Sequence, residues 1–136
     1  MIIWLASYPK SGNTWIRSFI SSLLFHKSKS FNLKILSNIP QFPLRSHFHN
    51  LVKNDEIDDL NKVSSCWIKS QQIINLDNKI KFFKTHQINC KIDGFNFTNK
   101  LNTLATIYIV RDPRNLVNSI SNHYDKSIED AKEFLL

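Results

Sequence analysis

An apolar run from Met1 to Ala6 gives way to Tyr8-Pro9-Lys10-Ser11-Gly12-Asn13-Thr14-Trp15 and then to a stretch with helical spacing. A continuous apolar run this short fits a strand buried on both faces of a parallel sheet. The polar segment is then a loop joining a buried strand to a helix start. Helix N-termini carry unpaired N–H groups and the positive end of the macrodipole, so they attract anions. Lys10 adds a cation there, Ser11 and Thr14 add hydroxyls, and Gly12 permits close backbone approach. The segment reads as a cradle for a phosphate or sulfate group. It is not a Walker A loop, in which the lysine follows the last glycine.

The rest of the chain predicts one α/β unit spanning residues 1–136. A helix is expected from about Thr14 to Phe25. Its apolar positions Trp15, Ile16, Phe19, Ile20, Leu23 and Leu24 recur at three and four residues, which predicts one face packed on the sheet. Residues 26–64 are polar and interrupted by Pro40 and Pro43, giving an irregular insert with short helices, and Phe42, Leu44, Phe48 and Leu51 as anchors. A helix is predicted from Ser65 to Leu76 and a strand from Ile80 to Lys84. Asp93-Gly94 marks a turn within a polar connection. Leu104 to Val110 is rich in β-branched residues and predicts another strand. Asp112 is placed as an N-cap and Pro113 as the first residue of a helix reaching about Tyr124. Ser127 and Asp130 form a weaker capping pair that opens a last helix.

Two further elements carry chemistry. Lys84-Thr85-His86 ends the second strand, and open α/β sheets bind ligands beyond the carboxyl ends of their strands. His86 is thus expected near the loop, either as a functional group or as a strand-end histidine bonded to backbone. Arg111 closes the later strand, and Ser119 follows eight residues on along the next helix. Arginine offers a permanently charged fork for phosphate, and serine adds a hydroxyl; a purely structural Arg111 is the alternative.

Taken together, these three elements resemble the sulfotransferases that use 3′-phosphoadenosine 5′-phosphosulfate (PAPS). The loop is similar to that family's T-Y-P-K-S-G-T-T-W, from which only Ser7 and Asn13 depart. Phe83-Lys84-Thr85-His86 resembles its K-T-H element, and V-R-D-P-R-N-L-V-N-S resembles its 3′-phosphate motif V-x-R-N-P-x-D-x-x-x-S. The resemblance covers residues 1 to about 124. It implies a P-loop-like three-layer α/β fold with a central parallel sheet flanked by helices. It further implies a donor site of Lys10, Ser11, Gly12, Asn13, Thr14, Trp15, Arg111 and Ser119, and catalytic roles for His86 as base, Lys10 and Lys84. Trp15 would stack on adenine or lie in the helix core. The insert would help to line a pocket for a small-molecule or glycan acceptor carrying a hydroxyl. A metal is not required by such a scheme. The family's C-terminal closing segment has no counterpart, and Gly12 and Gly94 are the only glycines, so a partial domain is expected.

Composition narrows the alternatives. A formal net charge of +7 suits a polyanionic nucleotide, although nucleic acid or an anionic membrane would suit it equally. The lysines are dispersed and no nucleic-acid-binding signature is present, so nucleic acid is not expected. Cys66 and Cys90 form no CxxC pair and have no histidine at zinc-like spacing, which argues against a metal site or a disulfide framework. His26, His47, His49 and His123 match no motif. No run has the length of a membrane span, and a cytoplasmic protein is the expectation. Two other readings stay open: a module that binds PAP or PAPS but is catalytically incomplete, and a divergent P-loop nucleotide kinase.

Overall fold

The structure is a computed structural model in which residues 1–25 and 32–135 are described. His26, with Lys27 and Lys29, lies outside the described residues. The chain runs β1 (Ile2–Ser7), α1 (Asn13–Phe25), α2 (Leu60–Ser65), α3 (Trp67–Ile74), β2 (Lys81–Thr85), β3 (Lys91–Ile92), β4 (Phe95–Asn96), β5 (Thr103–Ile109), α4 (Pro113–Tyr124) and α5 (Ile128–Glu133). Short 3-10 helices at Leu33–Asn38 and Arg45–His47 give the insert its structure.

β1 is the middle strand of a parallel sheet of order β2-β1-β5, which explains its apolar run: both edges and both faces are covered. Ala6 pairs with Thr85 and Ser7 with Ile109, so the carboxyl ends of all three strands reach one edge of the sheet. The fold is a P-loop-like α/β arrangement with helices flanking a parallel sheet. The three predicted strands agree with β1, β2 and β5 to within a residue at their ends, because apolar runs and β-branched enrichment are local properties. Asp93 and Gly94, both at positive φ (48° and 83°), turn β3 into β4. Asp112 caps α4 by accepting from Arg114 N at 2.9 Å, with Pro113 in its first turn. Ser127 caps α5 by accepting from Asp130 N at 3.0 Å. The predicted Ser65–Leu76 helix is shorter, because Cys66 ends α2 and starts α3.

The core lies against the face of the sheet that carries Trp4. The indole sits 5.6 Å from the Phe42 ring and 5.3 Å from that of Phe97, and its Nε1 donates to Thr103 Oγ1 at 2.9 Å. Phe48, Ile57, Trp67 and Phe83 complete the cluster. Phe42 and Phe48, expected only as scattered anchors, are fully enclosed.

α1 departs from expectation. Trp15, Phe19, Leu23 and Leu24 are exposed, at 82, 67, 72 and 51%, while the helix's buried residues are Asn13 and Ser21. Of the predicted stripe only Ile16 and Ile20 are half-buried. Instead α1 is held by polar contacts. Asn13 reaches the backbone of β1, and Arg17, one turn on, donates through Nη2 to the carbonyls of Leu36 at 2.9 Å and Ile39 at 2.7 Å. Spacing identified the helix; hydrogen-bonding partners from distant segments selected its inner face.

The Trp4 cluster makes a stability prediction. Trp4→Ala removes the central ring and should cost about 3–5 kcal/mol, a large part of the total for a domain of this size. Urea denaturation followed by circular dichroism reads it. A cost below about 1 kcal/mol would show that the cluster repacks freely.

Candidate functional site

Residues 8–12 leave the end of β1 in a tight loop. Ser11 N donates to Tyr8 O at 3.2 Å, and Gly12 O accepts from Trp15 N at 3.0 Å, opening the helix. Lys10 and Gly12 both adopt positive φ, 66° and 99°. No protein atom lies within 4 Å of where a Cβ on Gly12 would stand, and its positive φ is the conformation that favours glycine. The N–H groups of Asn13 and Thr14 have no earlier helical carbonyl to pair with. Arg111 Nη1 donates to Lys10 O at 3.0 Å, tying the loop to the end of β5 across the sheet.

A cleft of about 600 Å3 opens at this edge. It is lined by Lys10, Gly12, Asn13, Thr14 and Trp15 from the loop and helix start, by Lys84 of β2 and His86 just after it, and by Arg111 beyond β5 and Ser119 of α4. The three elements singled out in the sequence therefore meet in one place. Among the described residues no carboxylate joins the lining. Asp112, the nearest in sequence, is occupied as the cap of α4 and pairs with Arg114 at 2.6 Å. Three cations converging without a counter-charge repel one another, and an anion would relieve that cost.

Two predicted residues are placed differently from the rest. Ser11 is buried at 7% exposure and is not among the lining residues. The Asn13 side chain is turned inward, its Nδ2 donating to Leu5 O at 2.9 Å and to Ser7 Oγ at 3.1 Å. Trp15 is not in the core; it stands exposed at the rim of the cleft.

His86 lies at 2.8 Å from Ser7 O and 3.2 Å from Ser7 Oγ through Nδ1. A carbonyl only accepts, so Nδ1 carries the proton and Nε2 keeps a free lone pair. Burial holds the imidazole below its ordinary pKa; the Ser7 bond opposes this, while the positive charges of Lys84 and Arg17 add to it. The neutral ring is the form favoured near neutral pH. Lys84 Nζ donates to Gln41 Oε1 at 3.2 Å, and burial, then Arg17, lowers its pKa.

Beside the cleft lies a second cavity of about 650 Å3, walled by Trp4, Tyr8, Ile88, Phe97, Tyr108 and Phe134 with Thr85, Thr98 and Thr106 between them. His86 belongs to both linings. No residue of the described part of the insert contributes to this wall; its Phe42 and Phe48 are used in the core. Sequence reasoning also missed His123, which lines the cleft one helical turn beyond Ser119. The spacing of four residues was its only signal. Arg17 was missed as well, being an ordinary arginine until the 33–39 segment folds back on it.

A cationic cleft at the carboxyl edge of a parallel sheet, floored by a loop that opens a helix, is the kind of place where α/β domains take anionic ligands. The chain matches the model of the sulfotransferase domain family over residues 2–134 and belongs to that family. No curated protein and no solved structure matches it significantly. Sulfuryl transfer is accordingly the general activity of its class. Among the described residues no three metal-ligating side chains cluster, and no helix is long and apolar enough to cross a membrane.

The placement of His86 fixes a pH dependence. Its folded pKa is lowered, so the stability contributed by the neutral ring is complete above the unfolded value of about 6.5 and is lost as pH falls through the folded one. His47, lowered by burial, acts in the same sense. His86→Gln should therefore flatten the rise of stability between about pH 5 and 7, read by urea titrations at several pH values. An unchanged slope would place the ring in solvent.

Proposed function

We propose that the chain is a PAPS-dependent sulfotransferase in which His86 takes the proton of an acceptor hydroxyl. One observation carries the reading: His86 stands on the wall shared by the cationic cleft and the apolar cavity, with Nδ1 held by Ser7 and Nε2 free. A donor on one side and an acceptor on the other would meet at that ring.

The residues present fit PAPS. Its 5′ side takes Lys10, the Thr14 hydroxyl and the N–H groups of Gly12, Asn13 and Thr14. Its 3′-phosphate takes Arg111 and Ser119, with His123 beside them, and Trp15 at the rim offers its face to adenine. PAPS supplies the activated sulfuryl group. The chain's own work is to neutralise and orient. Lys10 and the loop amides hold the negative charge that develops on the departing phosphate, which stabilises the transition state more than the ground state. Lys84, which lines the cleft and whose Nζ donates to Gln41 Oε1, assists near the transferred group. Nε2 of His86 accepts the hydroxyl proton, and the resulting imidazolium keeps its Nδ1–H on Ser7. The apolar cavity favours an uncharged alcohol or phenol as acceptor over a charged glycan.

Thermal-shift titration tests the donor site. PAP should raise the melting temperature, whereas ATP with magnesium should not; no shift at millimolar PAP, or equal shifts, would remove the reading. Arg111→Ala should weaken PAP by about 1.5–3 kcal/mol while leaving 5′-AMP almost unaffected, and His123→Ala should do the same by a smaller amount. Equal losses for both nucleotides would make these residues structural.

His86→Ala separates chemistry from binding. Turnover of labelled PAPS with an apolar phenol should fall by about 10²-fold or more, with PAP affinity little changed. Retained turnover would exclude His86 as the base.

A further inference from the structure

Asn13 lies in the middle of the anion loop, yet its side chain faces away from the cleft's cations. Nδ2 donates to Leu5 O at 2.9 Å, and since a carbonyl only accepts, this bond fixes which end of the amide is nitrogen. The second amide hydrogen goes to Ser7 Oγ at 3.1 Å. Ser7 in turn presents two oxygens to one nitrogen, its carbonyl at 2.8 Å and its hydroxyl at 3.2 Å from His86 Nδ1. Both residues are buried, at 4 and 5% exposure, where a lost hydrogen bond is costly.

We propose that Asn13 and Ser7 are positioning residues for His86, and that the Asn13 side chain serves the base and not the donor. The inference rests on the sulfotransferase reading for its kinetic consequence, while the hydrogen-bonded network stands on the geometry alone. Asn13 fixes the Ser7 rotamer, and the two Ser7 oxygens hold the Nδ1 proton and so keep Nε2 unprotonated. As Nε2 takes up a proton, Nδ1–H becomes a stronger donor, and paired acceptors in a buried setting stabilise the charged ring. Asn13 Oδ1 is buried with no partner among the described residues, a cost that an apolar side chain would avoid. The value of the amide lies in its two donors. The anion loop loses nothing by this arrangement, because the peptide N–H of Asn13 stays at the helix start whatever its side chain does.

The groups facing His86 are Lys84 on the strand just before it and Arg17 on α1, both cationic and both left in place by the test. Side-chain NMR follows the titration of His86 in the ligand-free chain for the wild type, Ser7→Ala, Asn13→Ala and Ser7→Thr. Ser7→Ala should shift the midpoint further down, Asn13→Ala should shift it the same way by less, and Ser7→Thr, which restores a hydroxyl, should return it to the wild-type value. An identical midpoint in all four proteins would overturn the proposal. In kinetics, Asn13→Ala should lower kcat by about tenfold while PAP affinity stays within about twofold. A PAP affinity that falls as far as kcat, with the His86 titration unmoved, would make Asn13 a donor contact and also overturn it. Should the wild type bind no PAP, the sulfotransferase reading falls, and the NMR titration still decides the network. Ser7→Ala is the smaller change and keeps the test decisive if Asn13→Ala does not fold.

Discussion

Parallel pairing on both edges of β1 is the constraint from which the site follows. Because Ala6 lies beside Thr85 and Ser7 beside Ile109, the loop after β1, the His86 segment and Arg111 emerge side by side although they are separated by up to a hundred residues. Any slip of one residue would turn each strand's inward set outward and separate the cleft's cations from the loop. The same register aims Trp4 into the aromatic cluster that holds the insert, so core and site depend on one set of backbone hydrogen bonds.

Electrostatics sets the character of that edge. Lys10, Lys84 and Arg111 converge without a carboxylate among the described residues, and Arg17 adds charge from beneath. Burial first, then the charge of Arg17 and, for His86, that of Lys84, lowers the proton affinity of Lys84 and His86 and favours the neutral ring. Of the cleft's cations, Lys84 is the one that also acts on the His86 ring.

Helix α1 shows how polar contacts override an amphipathic pattern. Its apolar residues Trp15, Phe19 and Leu23 line an open face, while Asn13 and Arg17 make the hydrogen bonds that hold it. Burying an unpaired guanidinium or amide is costlier than exposing a leucine, so satisfying the polar partners decides the orientation. Trp15 is left at the rim of the cleft as a result, available for stacking.

The sequence by itself determined the local elements: the apolar β1, the capped starts of α4 and α5, the Asp93-Gly94 turn, and three motifs rich in phosphate-binding chemistry. Those signals are short-ranged, since capping, turn geometry and strand alternation depend on residues within a few positions of one another. Lys10, Lys84, His86, Arg111 and Ser119 were legible for that reason, each lying in a motif at a strand or helix end. Tertiary structure alone decided which of them meet, that Asn13 turns toward Ser7, that His123 joins the cleft, and that Phe42 and Phe48 fill the core and leave the cavity wall to residues near Phe97 and Tyr108. These outcomes rest on contacts between segments far apart in the chain, and no local pattern specifies which partner a side chain finds when the sheet closes.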